Sequence, residues 1–254
     1  MNITSDYTEE VINNLDKARN HFWYIHRNRI IDDLISKFNK EKPRILELGS
    51  GSGNVADYLS KKGYAIVASD FYQSGVELIK GIGIKVFQYD MVNNSRVPEE
   101  NLKAYDIVIL GDVIEHFNDP VQSLKNVKKF LVGRGGILIT VPALSILWTR
   151  YDIFCRHKRR YSRKQLIEHL QLAGFSQIKV RYFMFLPGLI LLVKRKINDL
   201  LGQNEAADLS VNPVINSVMK IFMLMEYWLQ KLIYIPFGSS IYGIALVKDE
   251  NRIL

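Results

Sequence analysis

Only one cysteine, Cys155, occurs in 254 residues, so no internal disulfide can form and a reducing compartment is expected. The first ten residues, Met1 to Glu10, lack the apolar centre of a secretory signal, and no leader is expected there. No run of about 18 uncharged apolar residues is present, which excludes an ordinary spanning helix. His, Cys and Asp nowhere cluster at metal-ligand spacing, and no metal is expected. Internal repeats and low-complexity linkers are also missing. Acidic residues are scarce in one stretch. From Tyr151 to Arg181, eight basic residues are opposed only by Asp152 and Glu168, which leaves +6 of the net +8 in one place. An anionic partner suits such a segment.

What is there is an ordinary globular composition, 48% hydrophobic and 24% charged, on a chain long enough for one α/β domain with an insertion. Short apolar runs alternate with helical patterns. Strands are expected at 44–48, 64–69, 85–89, 105–110, 137–141, 178–182 and 241–247. Helices are expected over 9–39, 54–62, 74–80, 119–131 and 162–173, the last capped by Ser162. Gly135-Gly136 reads as the turn into the fifth strand. This alternation implies an α/β fold with a mostly parallel sheet covered on both faces. The pattern breaks at 183–240, where an apolar stretch, a basic Lys194-Arg195-Lys196 triplet, a polar break at 202–210 and a long amphipathic helix from Pro213 to about Ile235 follow one another.

The most informative segment is Glu47-Leu48-Gly49-Ser50-Gly51-Ser52-Gly53. An apolar strand breaks there into a loop that opens a helix. Glycine supplies positive φ and lets a ligand approach the main chain. Two cofactors fit. Gly51-Ser52-Gly53-Asn54-Val55-Ala56 satisfies G-x-G-x-x-G/A of dinucleotide sites. With Glu47 included, E-x-G-x-G-x-G resembles the first motif of class I S-adenosylmethionine-dependent methyltransferases. Asp70 ends the second strand, where an acid can accept from ribose hydroxyls in either case. Asp90 ends the third and can accept from an adenine amine, with Met91 on the ring. The segment Asp112-Val113-Ile114-Glu115-His116-Phe117-Asn118-Asp119-Pro120 is similar to the region after strand four in small-molecule methyltransferases related to the ubiquinone O-methyltransferases. His21-Phe22-Trp23-Tyr24 with Arg27, Asp152 to Ser162, and Pro236-Phe237-Gly238 extend the resemblance over about 20–248.

The resemblance implies a Rossmann-like, seven-stranded sheet with an antiparallel last strand. It divides the chain into an N-terminal helical lid (1–42), an S-adenosylmethionine-binding core (43–182), a helical, partly amphipathic insertion (183–240), and a last strand and tail (241–254). It implies cofactor binding by Glu47, Gly49, Ser50, Gly51, Gly53, Asp70, Phe71, Asp90, Met91, Asp112 and Arg27. The Asp112 position otherwise reads as a turn cap. His116 is a candidate base, since histidine titrates near working pH; the alternative is a structural histidine. His157 is a second candidate. Trp23, Arg159, Arg160 and Tyr161 are candidates for the acceptor side, where arginine suits an anion. The alternative for the basic cluster is a solvated loop or an ion pair with Asp152.

The expected activity is methyl transfer to a small-molecule or lipid-linked acceptor, with oxygen favoured. An RNA-modifying enzyme using 151–181 and an NAD-dependent oxidoreductase are the alternatives, although no RNA-binding module accompanies the basic stretch. The 183–240 insertion fits core packing, a homodimer interface or an interfacial membrane element. The expected location is cytoplasmic, with peripheral attachment at the inner face of the membrane left open.

Overall fold

A computed structural model describes residues 16, 18–38, 40–202 and 212–248. The helical expectation over 9–15 and the polar break at 203–210 lie outside the described residues. Helix α1 (Phe22–Ile35) comes first, with His21 as its N-cap accepting from the Trp23 amide. Strands β1 (Arg44–Leu48), β2 (Ala65–Asp70), β3 (Val86–Gln88) and β4 (Tyr105–Gly111) then alternate with helices α2 (Asn54–Lys61) and α3 (Gln73–Gly81). Helix α4 (Pro120–Val127), strand β5 (Leu131–Pro142), the short α5 (Arg150–Phe154), α6 (Arg163–Leu172) and β6 (Phe175–Phe183) follow. The insertion holds α7 (Leu186–Leu200) and α8 (Pro213–Leu232), and β7 (Ser240–Val247) closes the sheet.

The sheet order is β3-β2-β1-β4-β5-β7-β6. Only β7 runs against the others, pairing antiparallel with both β5 and β6. The Rossmann-like architecture implied by the resemblance is therefore the observed one. The strand order reverses between β1 and β4, so the loops after these two strands diverge and leave a crevice at their carboxyl ends.

Period-2 alternation distributes each strand between two cores. Leu46, Leu48, Val108 and Leu110 face one side, with Leu124, Leu166 and Leu170 of α4 and α6. Ile45, Ile107 and Ile109 face the other, with Phe22, Ile31 and Leu34 of α1 and Met223 of α8. Each fully buried side chain of this size contributes about 1.5–3 kcal/mol.

Two expectations need correcting. The helix after Pro120 ends at Val127, and a 3-10 turn over Lys128–Phe130 replaces its last turn. Gly135 and Gly136 are not a turn but lie inside β5, which starts six residues earlier than its apolar run suggests. A side chain at Gly136 would meet the Ala245 carbonyl at 2.5 Å. That close backbone approach, rather than a change of direction, requires glycine here.

Candidate functional site

The loop after β1 carries three consecutive alternate glycines with φ of +71° (Gly49), +55° (Gly51) and +74° (Gly53). A Cβ on Gly49 would lie 2.8 Å from Val113 Cγ2, so both backbone angle and space demand glycine. The Glu47 carboxylate, buried at the end of β1, accepts from the Ala56 amide in α2 at 3.0 Å. Burial pushes Glu47 up to about 7, against the pull of Arg27. Asp70 is also buried. Its two oxygens accept from the amides of Gly51 (2.7 Å) and Tyr72 (2.9 Å), tying the glycine loop to the end of β2. Burial raises it to about 6 despite these bonds. Between about pH 4 and 7 the folded chain therefore holds protons that the unfolded chain has lost, so these two carboxyls make the ligand-free protein less stable as pH rises through that window.

From the lid, Arg27 reaches across to the residue after β4. Its Nη1 donates to Asp112 Oδ2 at 2.8 Å, and its guanidinium lies 5.1 Å from the Tyr24 ring centre. Asp112 takes a left-handed backbone (φ +58°), a conformation aspartate tolerates better than most residues. Arg27 Nε is buried and unpartnered.

One turn beyond, Glu115 is fully buried, and neither carboxylate oxygen accepts a hydrogen bond from another residue. Burial and the nearby Asp112 charge hold it well above the usual carboxylate range. His157 Nε2 is 4.0 Å from Glu115 Oε1. The other nitrogen of His157 is 2.9 Å from Asp152 Oδ1. The Asp152 side chain is wholly buried, yet bonds from His157, the charge and bond of Arg160 and the Thr149 amide outweigh burial and hold it at about 2. It is therefore ionised and can only accept, so His157 Nδ1 donates. Arg160 Nε also donates to Asp152 Oδ1 at 2.8 Å, and its Nη1 donates to the Ala143 carbonyl.

Arg27, Glu47, Asp112, Glu115, His157 and Arg160 line one cavity between the lid, the glycine loop, the β4 end and α5. Its volume is about 190 Å³. Among the residues named from sequence it gathers Trp23, Arg27, Glu47, Gly49, Ser50, Gly51, Asp112, His116, His157 and Arg160. It does not gather Gly53, Asp70, Phe71, Asp90, Met91, Arg159 or Tyr161. Asp70 is spent on the loop amides. Asp90 caps its own turn, accepting from the amides of Val92 (2.8 Å) and Asn93 (3.0 Å). Phe71 is exposed at the end of β2, and Met91 is buried in the same core as Tyr89 and Val97.

Tyr161 is not on the acceptor side. It is fully buried in the core, where its backbone bridges to Ala143 and its ring stands edge-on to His169. Arg159 donates to the Asn118 carbonyl at 3.0 Å. For Arg160 the ion pair with Asp152 is the observed role. His116 is a weak candidate for a base, because burial and the neighbouring His157 push it down to about 3, against contacts with the backbone of Arg156, Cys155 and Asp112.

The absence of a ligand cluster at metal spacing is also corrected in space. Glu115, His116 and His157 bring one ligand atom each within 4.8 Å of one another. His157 is distant from the other two in sequence, so no local spacing reveals the group. Sequence reasoning also passed over Glu115 and Asp152 as site residues. A signal for Asp152 was present: Thr149 and Asp152 form an S/T-x-x-D/E capping box at α5.

Residues 22–180 match the methyltransferase domain family, well over half of the chain. The chain belongs to that family. Among solved structures, a SAM-dependent methyltransferase of Thermotoga maritima superposes with a TM-score of 0.64 at 16% identity, covering 96% of this chain and 100% of that one. A phosphoethanolamine N-methyltransferase of Haemonchus contortus in complex with S-adenosyl-L-methionine gives 0.56 at 17% identity, covering 92% of this chain and 57% of that one. At these identities the likeness establishes the fold. A ubiquinone biosynthesis O-methyltransferase of Rickettsia felis is 28% identical over 143 residues, 52% of this chain and 57% of the relative. The chain thus spans about half the length of the curated relatives it matches.

The methyl donor of this methyltransferase family is S-adenosylmethionine, and the observed cradle fits it. The loop holds three glycines at positive φ, two of them with no space for a Cβ, and Arg27 and Asp112 line the same cavity as Gly49 and Gly51.

Proposed function

We propose that this chain transfers the methyl group of S-adenosylmethionine to an oxygen of a small or lipid-linked acceptor. The supporting observation is the 2.9 Å contact of His157 with Asp152 beside the cavity. When bound, the cofactor supplies an electrophilic sulfonium methyl group. The protein's task is alignment and proton removal. Arg27 and Asp112 offer one cation and one anion to the zwitterionic amino-acid end. The loop amides would take the middle of the ligand, and the ends of β2 and β3 lie toward its nucleoside end, where Phe71 is exposed and Met91 is buried in the core. A hydroxyl acceptor would lose its proton as its oxygen bonds to the methyl carbon and the carbon–sulfur bond breaks, the sulfur leaving as a neutral thioether. His157 Nε2 receives that proton, and Asp152 steadies the resulting imidazolium. Trp23 and the rest of α1 exclude water. The name of the curated relatives favours oxygen as the attacked atom.

The basic stretch supports an RNA substrate poorly. Arg159, Arg160, Arg163 and Arg181 all donate to carbonyls of this chain.

A divalent cation held by Glu115, His116 and His157 is a second candidate for lowering the hydroxyl's pKa. Two observations favour it: the unpartnered Glu115 oxygens, and a carboxylate behind His157 in the arrangement that orients metal-bound histidine. Methyl-labelled cofactor offered with catechol, phenol and amine acceptors is the test. O-Methyl products are expected; label on amines alone would overturn the oxygen assignment. Chelation with EDTA separates the two ways of removing the proton. Turnover survives it if His157 is the base, and is lost and restored by added zinc or another transition-metal ion if a cation is required.

A further inference from the structure

The insertion is built inside out. The inner stripe of α8 contains Met219 and Met223, but also Glu226 and Gln230, both 7% exposed. Glu226 accepts from the Phe185 amide at 3.0 Å and from Gln230 Nε2 at 2.7 Å. The opposite stripe is Val214, Val218, Ile221, Met225, Trp228 and Leu232, spaced alternately by four and three residues, and every one is 45–83% exposed. Helix α7 repeats the pattern. Leu186, Ile190, Val193, Ile197 and Leu200 share one face at helical spacing and are 47–87% exposed. A helix that turns its glutamate inward and its tryptophan outward does not have water as the partner of its outer face.

We propose that the outer faces of α7 and α8 dock on an anionic lipid bilayer. The occupant follows from charge. Lys194 and Lys196 flank the apolar stripe of α7 and Lys220 interrupts α8, while Lys231 is paired with Asp33 at 3.0 Å. The acids of the two helices are engaged within the chain: Asp199 accepts from the Arg150 amide at 3.0 Å, and Glu226 is buried. Two copies meeting through this face would oppose lysine to lysine, whereas anionic headgroups complement it. Trp228 has the Lys231 ammonium 5.0 Å from its ring, the pairing of an apolar body and a polar rim that suits the interface. No described helix is long and apolar enough to cross a membrane, so the pair lies on the surface rather than through it.

The helices that carry the docking face are tied to the elements that frame the cavity. Asn216 of α8 accepts from the Phe22 amide at 2.9 Å, Tyr227 donates to Asp33, and Arg150 in α5 is tied to Asp199 of α7. A bilayer held by α7 and α8 thus presents its surface beside the lid and α5. The inference does not depend on the chemistry of the acceptor.

Flotation of the full chain with vesicles decides it. Co-flotation is expected with phosphatidylcholine vesicles containing phosphatidylglycerol, weaker with phosphatidylcholine alone, and falling as salt rises. Trp228→Glu and, separately, Ile221→Glu should each reduce flotation at least about tenfold, given the cost of seating a carboxylate in the bilayer interface. Both positions are exposed, so unchanged thermal unfolding is expected of each. Failure to float on either vesicle overturns the proposal. So does a stable dimer in sedimentation that the same substitutions dissociate, since that outcome assigns the face to a second copy.

Discussion

Replacing His157 with alanine lowers kcat by about 10²–10⁴-fold, the usual contribution of a positioned base, and leaves cofactor affinity nearly unchanged. His157 holds Asp152 with one nitrogen and leaves the other 4.0 Å from Glu115. Nothing in the glycine loop or the Arg27–Asp112 pair depends on it. His116→Ala is expected to cost far less, because a ring held down at about 3 has little affinity for a proton at neutral pH. Rescue by added imidazole separates a base from a packing residue: it restores turnover to His157→Ala if the ring is the base and leaves it low if the ring only packs. If His157→Ala retains activity within about threefold, or His116→Ala proves the more damaging, the base is misassigned.

Asp152→Ala is the second large effect, and it falls first on stability. Asp152 binds His157, Arg160 and the Thr149 amide from a fully buried position. Its removal leaves the buried Arg160 charge unpaired and deletes the cap of α5. Breaking such a pair costs about 3–5 kcal/mol, read as a lowered denaturation midpoint. The sign with pH follows from Asp152 being held at about 2, below its unfolded value. Its contribution is fully present above the unfolded value and is lost as pH falls through about 2. The wild type and Asp152→Ala should therefore converge in stability in strong acid. Asp152→Leu with Arg160→Met removes both charges and should recover much of the stability without recovering turnover. Recovery of both would reduce Asp152 to a structural role.

Why some of this was legible in sequence and some was not has physical causes. Strands β1, β2 and β4 end at Leu48, Asp70 and Gly111, within one residue of the expected bounds, because buried parallel strands are continuous apolar runs and glycine marks the loop after them. β5 was read short because Gly135-Gly136 has the same signature whether it bends a strand or admits a neighbour's carbonyl. Glu47, Gly49, Asp112 and Arg27 line one cavity. His157 and Arg160 stand out in sequence for their charge, but the group that organises them is Asp152, one of two acids in a basic stretch. Its importance comes from burial, which residue type does not report. Tyr161 was misread for the same reason. Helix α8 was correctly seen as amphipathic, yet periodicity gives a stripe and not its direction, and the polar stripe points inward.

The most direct measurement is calorimetric titration of the purified chain with S-adenosylmethionine at pH 6 and pH 8, with NAD as the control. The expected result is one site per chain, no heat with NAD, and tighter binding at pH 8. A cation beside Glu47, held at about 7 by burial, favours its ionised form, and less proton must leave at the higher pH. Heat from NAD with none from S-adenosylmethionine would contradict the central claim, and equal affinity at both pH values would remove Glu47 from contact with the ligand's charge.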